Sequence, residues 1–279
     1  MKKILVPTDF SENSKNAIRF AIGIAARTGA QIELLHVNTA AAYAPVLPDY
    51  YPMQTETFGD YAASAAADLH ALKREMEFEG LDIETRVEEG FLHTAINDLV
   101  REEGCDLVVM GTKGATGAVE FFVGSNTEKV IRTSLCPVLA VPDAATEKFR
   151  LQTVVLATTL RPDQAGAFET LAAWQKVFDF EVKILYLNNP GGFGSMTEIE
   201  AAEAEFRKAY GLKNTDLFSS SNTFNEEKAI LKFAEGIEAD LIVMATHQRR
   251  GISHLMFGSL AEDTANHSEI PVLCIPISI

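Results

Sequence analysis

The chain alternates short apolar runs with stretches in which apolar residues recur at helical spacing. Lys3–Pro7 is the first run, and the helical spacing that follows over about Ser14–Thr28 can end at Gly29. Gln31–Val37 is the second run. The same pattern predicts further elements before residue 145, namely helices at Ala62–Glu79 (ending near Gly80) and His93–Glu103 and strands at Ile83–Val87, Leu107–Met110 and Val138–Val141.

The stretch between the second strand and the next helix has no regular pattern. Asn38–Tyr61 contains three prolines, Pro45, Pro48 and Pro52, and we predict a loop there. It could close over a site beyond the second strand, or it could be a disordered connector. The sequence favours neither.

The second half of the chain repeats the first. Cys105–Pro142 and Ala239–Pro276 align without a gap at a shift of 134, with fourteen of 38 positions identical, and Lys2–Phe10 finds its match at a shift of 150. We therefore predict two tandem domains, residues 1–145 and 150–279. Strands of the second domain are expected at Thr153–Leu156, Val182–Leu187, Leu241–Met244 and Val272–Ile275.

The order of elements predicts an α/β fold in each domain. Strands alternating with helices, βαβαβαβαβ, form a five-stranded parallel sheet flanked by helices, because parallel crossovers need connections of that length. In a sheet ordered 3-2-1-4-5, ligands bind beyond the carboxyl ends of the first and fourth strands, where the strand order reverses.

Composition narrows the classes of protein. The 279 residues carry 39 acidic and 24 basic side chains, a formal charge of −15, which argues against a nucleic-acid partner. The apolar runs are well under the ~18 residues of a membrane span, and the first residues, MKKILVP, do not resemble a signal peptide. Three scattered cysteines predict no disulfide framework. We expect a cytoplasmic protein with no membrane contact.

Glycines follow the fourth strand at a spacing suited to a phosphate. The run Met110–Gly114, MGTKG, is followed after nine residues by Gly124-Ser125. Glycine lets a backbone approach phosphate closely. Gly124-Ser125 also opens a predicted helix, whose free N–H groups favour an anion. Lys113 and Lys129 could neutralise phosphate charge.

This pattern resembles the universal stress protein family, whose ATP-binding members carry G-x-x-G-x9-G-(S/T) at this place. Gly111, Gly114, Gly124 and Ser125 match it without deviation. The resemblance covers both halves of the chain, and the strand sequences KKILVPTD and CPVLAVP strengthen it. It implies two tandem Rossmann-like domains of the adenine nucleotide α-hydrolase type, with ATP, alone or with Mg²⁺, as the ligand.

The resemblance also implies which residues contact the nucleotide. The phosphates would meet Gly111, Thr112, Gly114, Gly124, Ser125 and Asn126, with Thr127 nearby. The base and ribose would meet Pro7, Thr8, Asp9, Val37 and Met110. Asp9 suits ribose hydroxyls or the water shell of a metal ion, and Val37 offers an apolar edge for adenine.

Two of these positions have a purely structural alternative. Ser125-x-x-Glu128 is a capping box, so Ser125 could simply begin a helix, and the second domain keeps the pattern as Ser259-x-x-Glu262. Asp9 could instead hold a turn or cap the first helix. Ser125 could serve both purposes.

Most of the candidate nucleotide-binding residues of the first domain are replaced in the second domain. The residues at the equivalent positions are Ala245 for Gly111, Gln248 for Gly114, Thr159 for Asp9, Leu260 for Asn126 and Ala261 for Thr127. Added side chains would crowd a phosphate. Because the strand persists around the changed glycines, we interpret those glycines as ligand-binding rather than required by the fold. We predict that mainly the first domain binds nucleotide.

Other candidate chemistry is weaker. The basic run His247–Arg250 could hold an anion but is more typical of a solvated loop. The spacing of His247, His254 and His267 does not favour a metal site. His36 is interpreted as a strand-end residue, and Cys105 and Cys136 as packing or loop residues.

Three classes of function remain. The first is a stress-response regulator in which bound ATP biases a conformation or a partner contact. No strong base lies beside the phosphates, with Asp9 and Lys113 the only candidates, so the second, a slow ATPase or a phosphoryl- or adenylyl-transferring enzyme, is less favoured. The third is a nucleotide-free scaffold. Single-domain relatives dimerise through their last strands, so Val138–Val141 and Val272–Ile275 are expected to pair as an internal pseudo-dimer, and homo-oligomers stay open.

Overall fold

The computed structural model describes residues 1–39, 42, 58–76, 80–112, 125–145, 149–188, 195–220, 225–247 and 258–277. The chain divides into two compact units, Met1–Phe149 and Arg150–Ile279. Within the described residues, no helix is long and apolar enough to cross a membrane.

The first unit is a parallel sheet with helices between its strands. The strand order is β3-β2-β1-β4-β5, as expected for this fold class. Its described elements are β1 (Lys3–Pro7), α1 (Glu12–Thr28), β2 (Gln31–Asn38), α2 (Phe58–Glu75), β3 (Ile83–Glu89), α3 (Leu92–Glu103), β4 (Leu107–Gly111), α4 (Ser125–Thr133) and β5 (Val138–Val141).

The second unit has the same plan. Its strands are parallel in the order β8-β7-β6-β9-β10, the counterpart of the first unit's order. Its described elements are β6 (Thr153–Thr158), a 3₁₀ turn (Pro162–Gln164), α5 (Ala165–Phe178), β7 (Glu181–Leu187), α6 (Met196–Tyr210), β8 (Thr215–Ser220), α7 (Glu226–Gly236), β9 (Leu241–His247), α8 (Gly258–His267) and β10 (Val272–Ile277). The predicted α/β architecture is confirmed.

Two predicted boundaries in the first unit are wrong. Helix α2 begins at Phe58, inside the predicted loop Asn38–Tyr61, most of which lies outside the described residues. The helix ends at Glu75 rather than Glu79. Gly80 has a φ of +74°, but it follows the helix end by several residues and is therefore not the predicted cap.

An aspartate at the same position in both units, Asp106 and Asp240, connects two neighbouring strands. The Asp106 carboxylate precedes β4 and accepts hydrogen bonds from the backbone N–H groups of Lys2 and Lys3, the latter at 3.0 Å. In the second unit, Asp240 accepts from Gln152 at 2.7 Å and from Thr153 at 2.9 Å. In both units this aspartate fastens the start of the fourth strand to the start of the first.

The first unit contains a cluster of charged side chains from three neighbouring strands and the end of α3. Glu33 on β2 is 1% exposed, and it pairs with Lys3 on β1 at 2.9 Å and with Arg86 on β3 at 2.6 Å. Glu103, the last residue of α3, contacts both cations. Burial opposes the charged form of Lys3, but the bonds and charges of Glu103 and Glu33 outweigh it and raise the pKa of Lys3. We refer to Lys3, Glu33, Arg86 and Glu103 as the charge cluster.

Two cysteines of the first unit and three aromatic residues of the second are buried. Cys105 and Cys136 are buried, and burial raises the pKa of Cys105 to about 11 and that of Cys136 to about 12. Phe168, Trp174 and Phe178 on α5 are also buried, with Phe168 fully enclosed. These groups belong to the cores of the two units rather than to a reactive site.

Candidate functional site

The turn from β1 to α1 forms one wall of the crevice at the carboxyl ends of the strands. The backbone N–H of Thr8 donates to the carbonyl of Leu35 at 2.8 Å, and the Thr8 hydroxyl accepts from the N–H of Phe10 at 3.1 Å. The same hydroxyl lies 2.9 Å from that of Ser14, which itself donates to the carbonyl of Ser11. Thr8 must therefore donate to Ser14. Its hydroxyl hydrogen is used inside the turn, so the Thr8 side chain has no hydrogen left to donate to a ligand.

Asp9 lies exposed beside this turn. Its Oδ1 accepts from the N–H of Ser11 at 3.1 Å and from the Ser11 hydroxyl at 2.5 Å. Ser11, not Asp9, caps α1, because the Ser11 side chain accepts from the N–H of Ser14. Asp9 therefore holds the turn, as one of its two alternatives predicts, and its carboxylate stands at the mouth of the crevice.

Gly111, at the end of β4, has a packing role that the sequence does not reveal. A Cβ atom placed there would lie 2.8 Å from the carbonyl oxygen of Asn13 and 3.1 Å from its carbonyl carbon, both in the first turn of α1. A backbone neighbour cannot swing aside as a side-chain tip can. The fold of the first unit therefore requires glycine here, and the interpretation of Gly111 as dispensable for the fold is wrong.

Helix α4 faces the same crevice from the other side. Its first residue is Ser125, whose side chain lies outside the described part of the structure, as do Lys113, Gly114 and Gly124. Asn126 is exposed. Thr127 is buried and donates its hydroxyl hydrogen to the carbonyl of Gly111 at 2.9 Å. The Thr127 side chain thus pins α4 to β4, and only its backbone N–H is left to meet an anion.

The inner wall of the crevice is apolar. Pro7, Val37 and Met110 end β1, β2 and β4 or lie next to those ends, and all three are buried. Thr112 follows β4 and is held by its N–H to the carbonyl of Val141 at 3.0 Å. The structure therefore brings the described members of the predicted set to the carboxyl ends of β1, β2 and β4.

A group that the sequence analysis missed lies beside this wall. His36 on β2 bonds through Nδ1 to the carbonyl oxygen of Thr8 at 2.8 Å and through Nε2 to the Tyr61 hydroxyl at 2.7 Å. Its ring packs on Phe10, with centroids 4.7 Å apart. The sequence interpretation placed His36 at a strand end but gave no sign of either partner, because Tyr61 lies on the next helix.

Among the described residues, side chains narrow the equivalent crevice of the second unit. A cavity of about 20 Å³ remains there, which is room for about one water molecule, against the several hundred cubic ångströms of a typical ligand site. Its walls include side chains larger than their counterparts in the first unit, among them Gln164, Ala245 and Leu260. Burial also raises the pKa of Glu226, which lines the same cavity.

Gln164 explains much of this closure. Its Oε1 accepts from the Thr158 hydroxyl at 2.7 Å, from the Thr159 N–H at 2.9 Å and from the Thr159 hydroxyl at 3.1 Å. Thr159 stands where the first unit has Asp9, and it is buried rather than exposed. The turn itself is shared, since Leu160 and Phe10 have positive φ values of 53° and 64°. The two units thus differ in the side chains around one backbone design.

Acidic residues come close enough for a metal ion at one place in the described part of the chain. Carboxylate oxygens of Glu33, Glu84 and Glu103 lie within 4.8 Å of one another. Lys3 reaches all three carboxylates, so protein cations already neutralise the group. This arrangement is a structural ion-pair cluster and lies apart from the residues of the crevice. His267 instead pairs with Glu227 at 2.7 Å.

Comparison with known proteins matches both halves of the chain. The model of the Universal stress protein family matches residues 1–142 and again 151–276. Universal stress protein MJ0531 of Methanocaldococcus jannaschii is 32% identical over 141 residues, which are 50% of this chain and 81% of that protein. Universal stress protein MJ0577 of the same organism is 29% identical over 152 residues, 50% of this chain and 94% of that protein.

A solved structure supports the fold over the full length. The crystal structure of a universal stress protein from Archaeoglobus fulgidus DSM 4304 superposes with a TM-score of 0.73 at 21% identity, covering 99% of this chain and 98% of that chain. At this identity the likeness speaks for the fold. The two matches to the family model show that the chain belongs to the universal stress protein family, as a tandem of two such domains.

Proposed function

We propose that the first unit binds an adenine nucleotide, ATP with or without Mg²⁺, and that its occupancy regulates a stress response. The observation that carries the proposal is the difference between the two crevices. Where the second unit has Gln164, Ala245 and Leu260 around a cavity of about 20 Å³, the first has Ser14, Gly111 and Asn126. The smaller and more polar side chains leave the first crevice better suited to a charged ligand.

The described residues fit such a ligand. Asp9 is an exposed carboxylate at the end of β1, suited to ribose hydroxyls or to the waters of Mg²⁺. Val37 and Met110 offer an apolar wall to the base, and the first N–H groups of α4, near Asn126, suit a phosphate. Gly114, Gly124 and Ser125 complete the family's ATP-binding pattern in the sequence. Thr127 would take part through its backbone N–H, and Thr8 would shape the turn beside the ligand.

The remaining predictions extend this proposal. We expect a cytoplasmic protein in which residues 1–145 carry the intact site and residues 150–279 the degenerate one. Val138–Val141 and the last strand of the second unit would pair as an internal pseudo-dimer. Asp9 is the only candidate base among the described residues of the predicted set, so we expect any turnover to be slow.

The proposal is tested by exchanging side chains between the two crevices. Asp9→Thr with Asn126→Leu installs the second unit's residues at two exposed positions of the first. Isothermal titration with ATP and Mg²⁺ should show affinity lowered about tenfold to a hundredfold, the loss expected for a charged hydrogen bond. The reciprocal double variant, Thr159→Asp with Leu260→Asn, is the control and should leave ATP affinity unchanged.

Three outcomes separate the alternatives. ATP that copurifies with the protein in native mass spectrometry and stays intact supports the regulator. Steady release of ADP or AMP that stops in Asp9→Ala would indicate an enzyme. No binding of ATP at millimolar concentration would overturn the proposal and favour a scaffold.

A further inference from the structure

His36 joins two segments that the sequence keeps apart. On one side it bonds to the main chain of Thr8, directly before Asp9. On the other it bonds to Tyr61, in the first turn and a half of α2. Phe10 and Tyr61 flank the imidazole with their rings, at centroid distances of 4.7 and 6.1 Å. The histidine is thereby held on both of its nitrogen atoms and by both neighbouring aromatic rings.

The two partners determine which ring nitrogen carries the hydrogen. A carbonyl oxygen can only accept, so the hydrogen of a neutral His36 must be on Nδ1, facing Thr8. Nε2 is then an acceptor and takes its hydrogen bond from the Tyr61 hydroxyl. Burial, with the charge of Asp68, raises the pKa of Tyr61, so this hydroxyl keeps its hydrogen. The chain of bonds runs from Tyr61 through His36 to Thr8.

In the second unit, a different side chain holds the corresponding turn. Tyr186 occupies the position of His36 and is fully buried. There, the turn is held by Gln164, whose side chain also fills the crevice. In the first unit, the hydrogen bond from His36 to the carbonyl oxygen of Thr8 holds the same turn. His36 thereby fixes the position of Thr8 and Asp9, and the crevice beside them keeps smaller side chains than in the second unit.

We propose that His36 is a positioning residue for the adenine nucleotide, bracing the Thr8–Asp9 turn against Tyr61 of α2. This inference rests on the proposed function. In the bound state, the carboxylate of Asp9 would reach the ribose from a main chain that His36 keeps in place. His36 does not touch the nucleotide itself, and it acts through the carbonyl of Thr8.

The test removes each hydrogen bond separately. Tyr61→Phe keeps the ring and deletes the hydroxyl. His36→Asn places an amide N–H near the position of Nδ1 and keeps a donor for Thr8, but it cannot reach Tyr61. Both variants should weaken ATP binding about threefold to tenfold, the range for one net hydrogen bond. Because both substitutions remove the hydrogen bond between His36 and Tyr61, the double variant should bind ATP no more weakly than either single variant. Tyr210→Phe in the second unit is the matched control and should bind ATP like the wild type.

A second measurement tests the hydrogen bonds of His36 in the protein without nucleotide. Nitrogen-15 NMR of labelled histidine should show an imidazole with hydrogen on Nδ1 that is absent in His36→Asn, whereas the signal of His267, whose Nδ1 faces the Glu227 carboxylate, should remain in the variant. Hydrogen on Nε2 of His36 would overturn the inference. So would unchanged ATP affinity in Tyr61→Phe when the wild type binds ATP, and in that case the proposed function would stand. If the wild type binds no ATP, the proposed function fails and the inference fails with it.

Discussion

The two units share a backbone design but differ in what lies at the ends of their strands. Both bend from the first strand into the first helix through a residue of positive φ, Phe10 or Leu160, and both fasten the fourth strand with an aspartate. Around that common frame, the first unit keeps small residues and an exposed Asp9, whereas the second fills the space with Gln164 and Leu260. Features shared by the two units therefore mark the fold, whereas the side chains around the crevice differ.

The comparison also corrects the meaning of a single substitution. Gly111 against Ala245 looks like a phosphate cradle lost in the second unit. The first unit nevertheless needs glycine there, because a Cβ atom at residue 111 would come within 2.8 Å of the carbonyl oxygen of Asn13. In the second unit, a 3₁₀ turn at Pro162–Gln164 stands where α1 has its first turn, so the facing backbone follows another path. A difference between repeats can thus record packing as well as binding.

The largest expected difference in stability between the units concerns the charge cluster. Glu33→Gln should lower the free energy of unfolding of the first unit by about 3 kcal/mol, because Lys3 and Arg86 would lose a buried partner. Lys183 occupies the same strand position in the second unit and pairs with exposed acids. Lys183→Gln should cost less than about 1 kcal/mol. Urea unfolding followed by circular dichroism measures both variants.

The single tryptophan assigns the transitions to a unit. Trp174 lies in α5, so its fluorescence reports on the unfolding of the second unit. Glu33→Gln should leave the Trp174 transition in place. Equal losses from Glu33→Gln and Lys183→Gln would show that burial does not distinguish the two ion-pair groups.

The next effect concerns the packing of Gly111. Gly111→Ala should destabilise the first unit by about 1–3 kcal/mol without nucleotide, since the backbone of α1 must move. Ala245→Gly should cost about 0.5–1 kcal/mol, the ordinary penalty of glycine in a strand. Thermal unfolding of the ligand-free variants compares the two. A Gly111→Ala protein of undiminished stability that binds ATP poorly would restore the ligand interpretation of this glycine.

The smallest effect is a difference in acid sensitivity. The hydrogen bond from Lys3, opposed by burial and helped by the charge of Arg86, lowers the pKa of Glu103. A carboxyl whose folded pKa is depressed adds stability above its unfolded pKa of about 4.3, and that stability is lost as the pH falls through the folded value. Glu103→Gln should abolish this part of the acid dependence of the first unit, as urea midpoints between pH 7 and 3 would show.

The second unit supplies the control for this pH series, because Ile237 stands in the place of Glu103. The Trp174 transition should therefore have the same pH dependence in Glu103→Gln and wild type. An acid dependence of the first unit that persists in the variant would assign it to other carboxylates.

The sequence predicts most of the fold because its signals are local. Val138–Val141 is found with the predicted bounds, since a short apolar run between prolines has little choice of structure. The site is predictable by residue type, as with Asp9, but its contacts depend on distances between distant segments. Two examples are the close approach of α1 to Gly111 and the contact of Tyr61 with His36. Both follow from tertiary packing, which a local sequence pattern does not predict.

The bonds of Gln164 bear on how such a tandem protein can evolve. One amide oxygen satisfies three donors of Thr158 and Thr159. A mutation that shortened this side chain to reopen the crevice would strand those donors at a buried turn. Shortening Gln164 would therefore lower stability unless another group replaced its bonds at the same time. A crevice filled in this way is easier to acquire than to reopen.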